Sequence, residues 1–354
     1  MQKKLFDFCI GNPPYQEEQI SDNLEGSQKN FAPSVYNYFI DESIKVSEKV
    51  ELIHPARFLF NAGNTPKAWN KKMLNDPHFK VLLYEPDSSK IFSSLSVPLK
   101  GGIAITYRDE SGNYGAIQAF TQFPEVNTVL HKVIASKNFE SLTEIVYSRT
   151  TYRLTDFMHK EHPDAITKLS KGHAYDMASN IFERLPEIFY DSVPDNNHQY
   201  VKILGREDNK RVYKYIRRDY INDVDNLEYY KVLIPQANGS GLFGETISTP
   251  IIEFPNVGNT ETFISIGKFS SRSAAEAVRK YISTKFSRTL LSVLKVTQNG
   301  NKPVWKYIPL QNFTAASDID WSKSIHEIDL QLYRKYGLSD DEIAFIESNV
   351  KEMV

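Results

Sequence analysis

The chain has 354 residues, enough for roughly two domains of about 150 residues each and a sizeable core. Lys and Arg number 42 against 44 Asp and Glu, a formal charge of −2, which excludes a wholly basic nucleic-acid coat but not a local basic face. The single cysteine, Cys9, excludes an internal disulfide and a thiolate zinc site and points to a reducing compartment. No run approaches the ~18–20 apolar residues of a membrane span, and LFDFCI is too short and too acidic for a signal peptide, so a cytoplasmic protein with no membrane partner is expected.

The first hundred residues alternate between strand and helix. Residues 5–10 (LFDFCI) read as a buried strand that stops at Gly11-Asn12-Pro13-Pro14, a proline-locked turn. Residues 34–47 place Val35, Tyr38, Phe39, Ser43 and Val46 at helical spacing behind Ser34. A strand (VELIH), a helix over 64–75 and two further strands (FKVLLYE and GGIAITYR) follow. This β-α-β-α-β order predicts one edge of a doubly wound α/β sheet. The composition turns polar at 108–115, which sets domain bounds of 1–115, a helical connector over 116–140, a mixed strand and helix region over 141–316, and C-terminal helices over 317–354. In that last segment Ile328, Leu332, Ile343, Ile346 and Val350 keep helical spacing about a joint at Gly337.

The strongest chemical signal is Asn12-Pro13-Pro14-Tyr15 directly after an apolar strand. One reading is a proline turn closing the strand. The other concerns an exocyclic amine such as adenine N6, whose lone pair is delocalised into the ring. An Asn side-chain oxygen and a backbone carbonyl that accept both N–H bonds localise that lone pair for attack on a sulfonium methyl. Prolines fix the carbonyl and donate no competing N–H, and a following aromatic stacks on an extruded base. Positioning and hydrogen bonding supply most of such catalysis.

FDFCIGNPPY resembles the catalytic motif of amino-group DNA methyltransferases of the adenine-N6 kind, found in restriction–modification systems. VYNYFIDESIKVSEKVELIHPARFLF resembles the helix, strand and following stretch of that family, and FKVLLYEPDSSKIF with GGIAITYRD its next two strands. The resemblance implies that Asn12, Pro13, Pro14 and Tyr15 form the catalytic turn. It also places Tyr107 where the family carries a base-stacking aromatic, although a tyrosine that closes a strand fits equally well. YVKILGREDNKRVYKYIRRDYI resembles the opening of a target-recognition domain, and AAEAVRKYISTKFSRTLLSVL with WKYIPLQNF its closing part.

In this family the cofactor site opens with a strand and a Gly-rich loop ahead of the catalytic motif. Eleven residues precede Asn12, and the glycine clusters at 238–244 and 256–259 stand in loop contexts. The expectation is therefore the C-terminal part of a methyltransferase: a partial doubly wound (Rossmann-like) sheet, an α+β target-recognition domain and a C-terminal helical segment. Its S-adenosylmethionine pocket would be incomplete, and either a separate polypeptide supplies the N-terminal half or the coding region is truncated.

Double-stranded DNA is the expected partner. Lys202, Arg206, Lys210, Arg211, Lys214, Arg217 and Arg218, interleaved with Tyr213 and Tyr215, form the best phosphate-contacting patch, although a solvated strand–turn face with ordinary charge pairs gives the same pattern. A non-catalytic specificity subunit with a vestigial catalytic turn is the alternative function. A metal-dependent nuclease built on Asp195, Asp208 and Lys210 ranks third. His159 and His162 share a helix face without further ligands, so no metal site is expected and exposed histidines are the default. Cys9 and His54 read as core residues.

Overall fold

Residues 4–16, 33–92, 99 and 101–353 are described in the computed structural model of the chain, a mixed α/β protein with three small sheets. It divides into two units, Met1–Asn127 and Thr128–Val354. No helix among the described residues is long and apolar enough to cross a membrane.

The first unit contains β1 (Phe6–Gly11), α1 (Tyr36–Val46), β2 (Ser47–Pro55), α2 (Lys67–Leu74), β3 (Phe79–Glu85) and β4 (Ile103–Asp109). The sheet order is β1-β2-β4-β3, with β1 and β2 parallel and β4 antiparallel to both its neighbours. The β-α-β-α-β pattern thus delivers one adjacent parallel pair. The second crossover, through α2, skips a position, and β4 turns back to fill it. That return needs Gly102, whose φ is +77°; a Cβ there would lie 2.4 Å from the Glu85 carbonyl oxygen.

Alternation along β2 sorts the two faces of this sheet. Val50, Leu52 and His54 are buried together with Tyr36 and Ile40 of α1, Phe58, and Trp69 and Met73 of α2. The other face carries Phe6, Phe8 and Ile10 of β1, which are 59%, 59% and 74% exposed. At Phe8 the Lys49 ammonium lies 5.2 Å from the ring centroid. Among the described residues β1 is also an edge strand, paired with β2 alone.

His54 is wholly buried, stacked 5.5 Å from the Tyr36 ring. The Pro55 carbonyl, 3.1 Å away, only accepts, so Nδ1 carries the proton and the Thr106 hydroxyl donates to Nε2 at 2.7 Å. Burial pushes its pKa down to about 4, against the Pro55 hydrogen bond. Cys9 is half-buried, its Sγ 3.5 Å from the Ser43 hydroxyl on α1.

Helix α3 (Pro124–Ile134) runs across the division at Asn127, so the expected connector is itself where the two units meet in sequence. The second unit continues with β5 (Val146–Tyr147), α4 (Asp156–Glu161), α5 (Ala165–Lys168), α6 (Ile181–Arg184), β6 (Tyr200–Glu207), β7 (Lys210–Arg217), β8 (Tyr230–Pro235), β9 (Ile251–Glu253), β10 (Val257–Asn259) and β11 (Phe263–Phe269). Two sheets result, ordered β10-β6-β7 and β5-β11-β8-β9. β6 and β7 form a tight hairpin, closed by Asp208 and Asn209 at φ +47° and +62°, the left-handed pair that a type I′ turn requires. Lys231 of β8 is fully buried and ties the sheets together, donating to the carbonyls of Leu227 at 3.2 Å and Val257 at 2.8 Å.

Four helices complete this unit: α7 (Arg272–Ser283), α8 (Lys285–Ser292), α9 (Ile325–Lys335) and α10 (Asp340–Asn349). Ser271 and Thr284 cap α7 and α8. Ser324 with Glu327 and Ser339 with Glu342 form reciprocal capping boxes on α9 and α10. Asp329 of α9 accepts from the Lys285 and Phe286 backbone N–H groups at 3.0 and 2.8 Å and so docks α9 on the start of α8.

Candidate functional site

The parallel pair β1 and β2 ends at one edge of the first sheet, the position where open α/β sheets bind ligands. Gly11 pairs with Leu52, and the chain then leaves the ladder as Asn12-Pro13-Pro14-Tyr15 because proline has no N–H to give. The Tyr15 carbonyl accepts from the Val35 N–H at 3.2 Å, which anchors the turn to the start of α1. Asn12 is exposed, and its side chain takes no hydrogen bond among the described residues. Tyr15 is half-buried, and burial pushes its hydroxyl up to about 12. That hydroxyl is buried without a partner among the described residues, as is Oδ1 of Asn37 near the start of α1. Buried polar atoms left open in this way cost free energy, and clusters of them mark places where a ligand or water completes the bonding.

A polar cluster lies beyond the end of β2. Thr65 donates to Asn70 at 2.7 Å, Asn70 donates to Asn61 at 3.2 Å, and the Arg57 charge acts on the Tyr36 hydroxyl. These residues carry no sequence motif: Asn61 and Thr65 stand in a connecting stretch and Asn70 on α2. Tyr107 lies on β4 opposite Glu51, one rung deeper than the Leu52 level at which β1 ends. Its hydroxyl donates to Asp109 at 3.3 Å, the Lys80 ammonium lies 5.3 Å from its ring, and Tyr114 packs beside it at 6.3 Å.

The seven basic residues of the 202–218 segment fall into two sets. Lys214 is paired with Asp191 and Glu207 at 3.2 and 3.1 Å, Arg217 with Glu161 and Asp219 at 2.7 Å each, and Arg218 with Asp223 at 2.5 Å. Arg217 also stacks on Tyr220, 4.5 Å from its ring centroid. Lys202, Arg206, Lys210 and Arg211 have no ion pair among the described residues. Arg206 bonds Asn209 in the turn, Arg211 lies 5.8 Å over the Phe263 ring, and Lys202 stands between Tyr213 and Tyr215 at 5.3 and 5.4 Å.

The glycine clusters are structural. In 238–244 the Ser240 and Gly241 N–H groups, a nest suited to an anion, bind the carboxylate of Glu245 at 2.7 and 2.8 Å. Against the upward push of burial, Lys295 and these N–H donors hold Glu245 down to about 2. The loop is therefore filled by the chain's own carboxylate, and 256–259 belongs to β10 and the turn before it. A cradle for S-adenosylmethionine does not fit either cluster.

Asp208 is one of the two left-handed residues of the hairpin turn, which accounts for it without a metal. No group of three metal-ligating side chains gathers among the described residues. His159 and His162 differ from the expected exposed pair: both are half-buried, bonded to the Ala174 carbonyl at 2.8 Å and the Tyr220 hydroxyl at 3.0 Å. The short α4 turns both imidazoles inward onto Tyr175 and Tyr220.

No curated protein matches the chain. Among solved structures it is similar to the type IIG restriction endonuclease BpuSI, at 11% identity and a TM-score of 0.32, over 91% of this chain and 48% of that one. It is also similar to the type IIL restriction-modification enzyme MmeI, solved in complex with DNA, at 9% identity and a TM-score of 0.30, over 97% of this chain and 56% of that one. The chain thus spans about half the length of either. The Eco57I restriction-modification methylase family matches residues 1–92, the stretch from β1 through β3 that holds the Asn-Pro-Pro-Tyr turn. Residues 1–92 carry an Eco57I restriction-modification methylase domain.

Proposed function

We propose that this chain is the amine-holding and DNA-recognising part of an adenine-N6 DNA methyltransferase of a restriction–modification system. The observation that carries the reading is the Asn12 side chain, exposed and unpartnered at the end of a parallel strand pair inside the matched family region. Asn12 Oδ1 and the Pro13 carbonyl accept the two N–H bonds of the target amine, Pro14 stiffens the turn, and Tyr15 stacks on the extruded base. Tyr107, already engaged by Asp109, Lys80 and Tyr114, supports the sheet face rather than the base. Lys202, Arg206, Lys210 and Arg211 contact phosphates, whereas Lys214, Arg217 and Arg218 brace the hairpin and its flank.

The edge position and exposed apolar face of β1 among the described residues support a sheet extended by further strands and helices, from the same polypeptide or another, that bring the cofactor side of the site. When bound there, S-adenosylmethionine would supply the methyl group. A second reading, a recognition subunit without catalysis, is favoured by the glycine loop that closes on Glu245.

The test is Asn12→Ala in the chromosomal gene, read by sequencing that maps N6-methyladenine. Loss of methylation from one sequence context is expected, a drop of at least about 100-fold, the scale of a lost transition-state hydrogen bond in an acyl-transfer site. Unchanged methylation means the chain binds without catalysing.

A further inference from the structure

The two sheets of the second unit leave between them a cleft of about 510 Å³ that the catalytic turn does not use. One wall is a single face of the β6–β7 hairpin. Lys202 stands opposite Tyr215 and Leu204 opposite Tyr213, with Tyr200 one step further along the same face. The other wall is the β9–β10 turn, where Phe254 is exposed and Glu253 is buried at the floor, accepting from the Tyr213 hydroxyl. Burial pushes the Glu253 carboxyl above its usual range, while Tyr213, Lys231 and Lys202 pull it back. Aromatic faces around one carboxyl and one ammonium suit a flat ring with polar edges.

A second feature of this face points to an anion. Arg206 and Arg211 lie directly opposite each other near the hairpin tip, and no carboxylate pairs with either among the described residues. Like charges opposed across a ladder destabilise it unless an anion lies between them. A phosphate there, with a ring lodged further along the face at Tyr213 and Tyr215, describes one nucleotide.

We propose that this cleft holds a single unpaired nucleobase, with the adjoining phosphate on Arg206 and Arg211. It is a second base site, separate in sequence from the Asn12 turn. The proposal rests on the DNA-binding reading above, and the experiment separates the two.

The full chain is titrated against a fully paired duplex and the same duplex with one bulged nucleotide. The bulged duplex binds about tenfold tighter, the lower range of base–aromatic stacking. Tyr213→Ala with Tyr215→Ala brings that ratio to about one, and the matching Phe pair restores it, since Phe stacks but cannot donate to Glu253. A bulged 2-aminopurine gives a readout on the unaltered protein: stacking on tyrosine quenches it, and unchanged emission overturns the site. Equal affinity for both duplexes overturns the base site and leaves DNA binding standing. No binding to either duplex overturns both readings. A preference that survives the alanine pair places the base elsewhere.

Discussion

The two units of this chain bury their sheets to different degrees. In the second, both sheets are closed by helices and by each other, and even a lysine, Lys231, is buried with its ammonium satisfied by carbonyls. In the first, one sheet face is packed under α1 and α2 while the other presents Phe6, Phe8 and Ile10 from a strand at the sheet's edge among the described residues. Exposed apolar stripes on edge strands invite pairing, and natural proteins cover or charge them. The difference teaches that the second unit satisfies its sheets from its own residues, whereas the first, among the described residues, leaves one sheet face uncovered.

The contrast is sharpest at two phenylalanines of the first unit. Phe58→Ala, beneath the packed face, costs about 3–5 kcal/mol by urea denaturation, whereas Phe8→Ala on the open face costs less than about 0.5 kcal/mol. Comparable losses at the two sites would show that the open face is covered in solution. A smaller effect is tied to pH. The folded pKa of His54 is about 4, below the ordinary 6.5, so the unfolded chain takes up the proton first as pH falls. Stability of the first unit is therefore flat above about pH 7 and declines between 6.5 and 4, by up to roughly 3 kcal/mol. Hydrogen exchange of the β2 amides at pH 7 and 5 measures it, and a His54 resonance that titrates near 6.5 contradicts it. The smallest effect concerns the cations of the second unit. Arg206→Ala lowers the salt slope of DNA binding by about 1, while Arg218→Ala, whose charge is spent on Asp223, leaves it within error. Equal slopes for both variants would erase the distinction between paired and unpaired basic residues.

Much of the local structure was legible in the sequence because its causes are local. The LFDFCI strand stops where prolines remove the ladder donors, and the helical spacing of Ile328, Leu332, Ile343 and Ile346 marks α9 and α10. The β7 strand went unread as a partner of β6 because its charges and tyrosines mask the two-residue period, although Asp208-Asn209 is a turn signal. The antiparallel return of β4 was equally invisible, since strand direction depends on which gap in the sheet the chain fills. For the candidate site, the residue types were readable and their availability was not. Nothing in the spelling of 202–218 distinguishes Arg211 from Arg217, yet Glu161 from α4 and Asp219 neutralise only the second.

The sequence by itself determined the proline turn at 12–15, the strand and helix periods, and the family likeness of residues 1–92, because each is written in neighbours a few positions apart. Tertiary structure alone decided which face of the first sheet is left open, which cations find carboxylates, and that the glycine loop at 238–244 folds around Glu245. Those outcomes depend on residues far apart in the chain meeting in space, where burial and charge pairing, not spacing, select the winner.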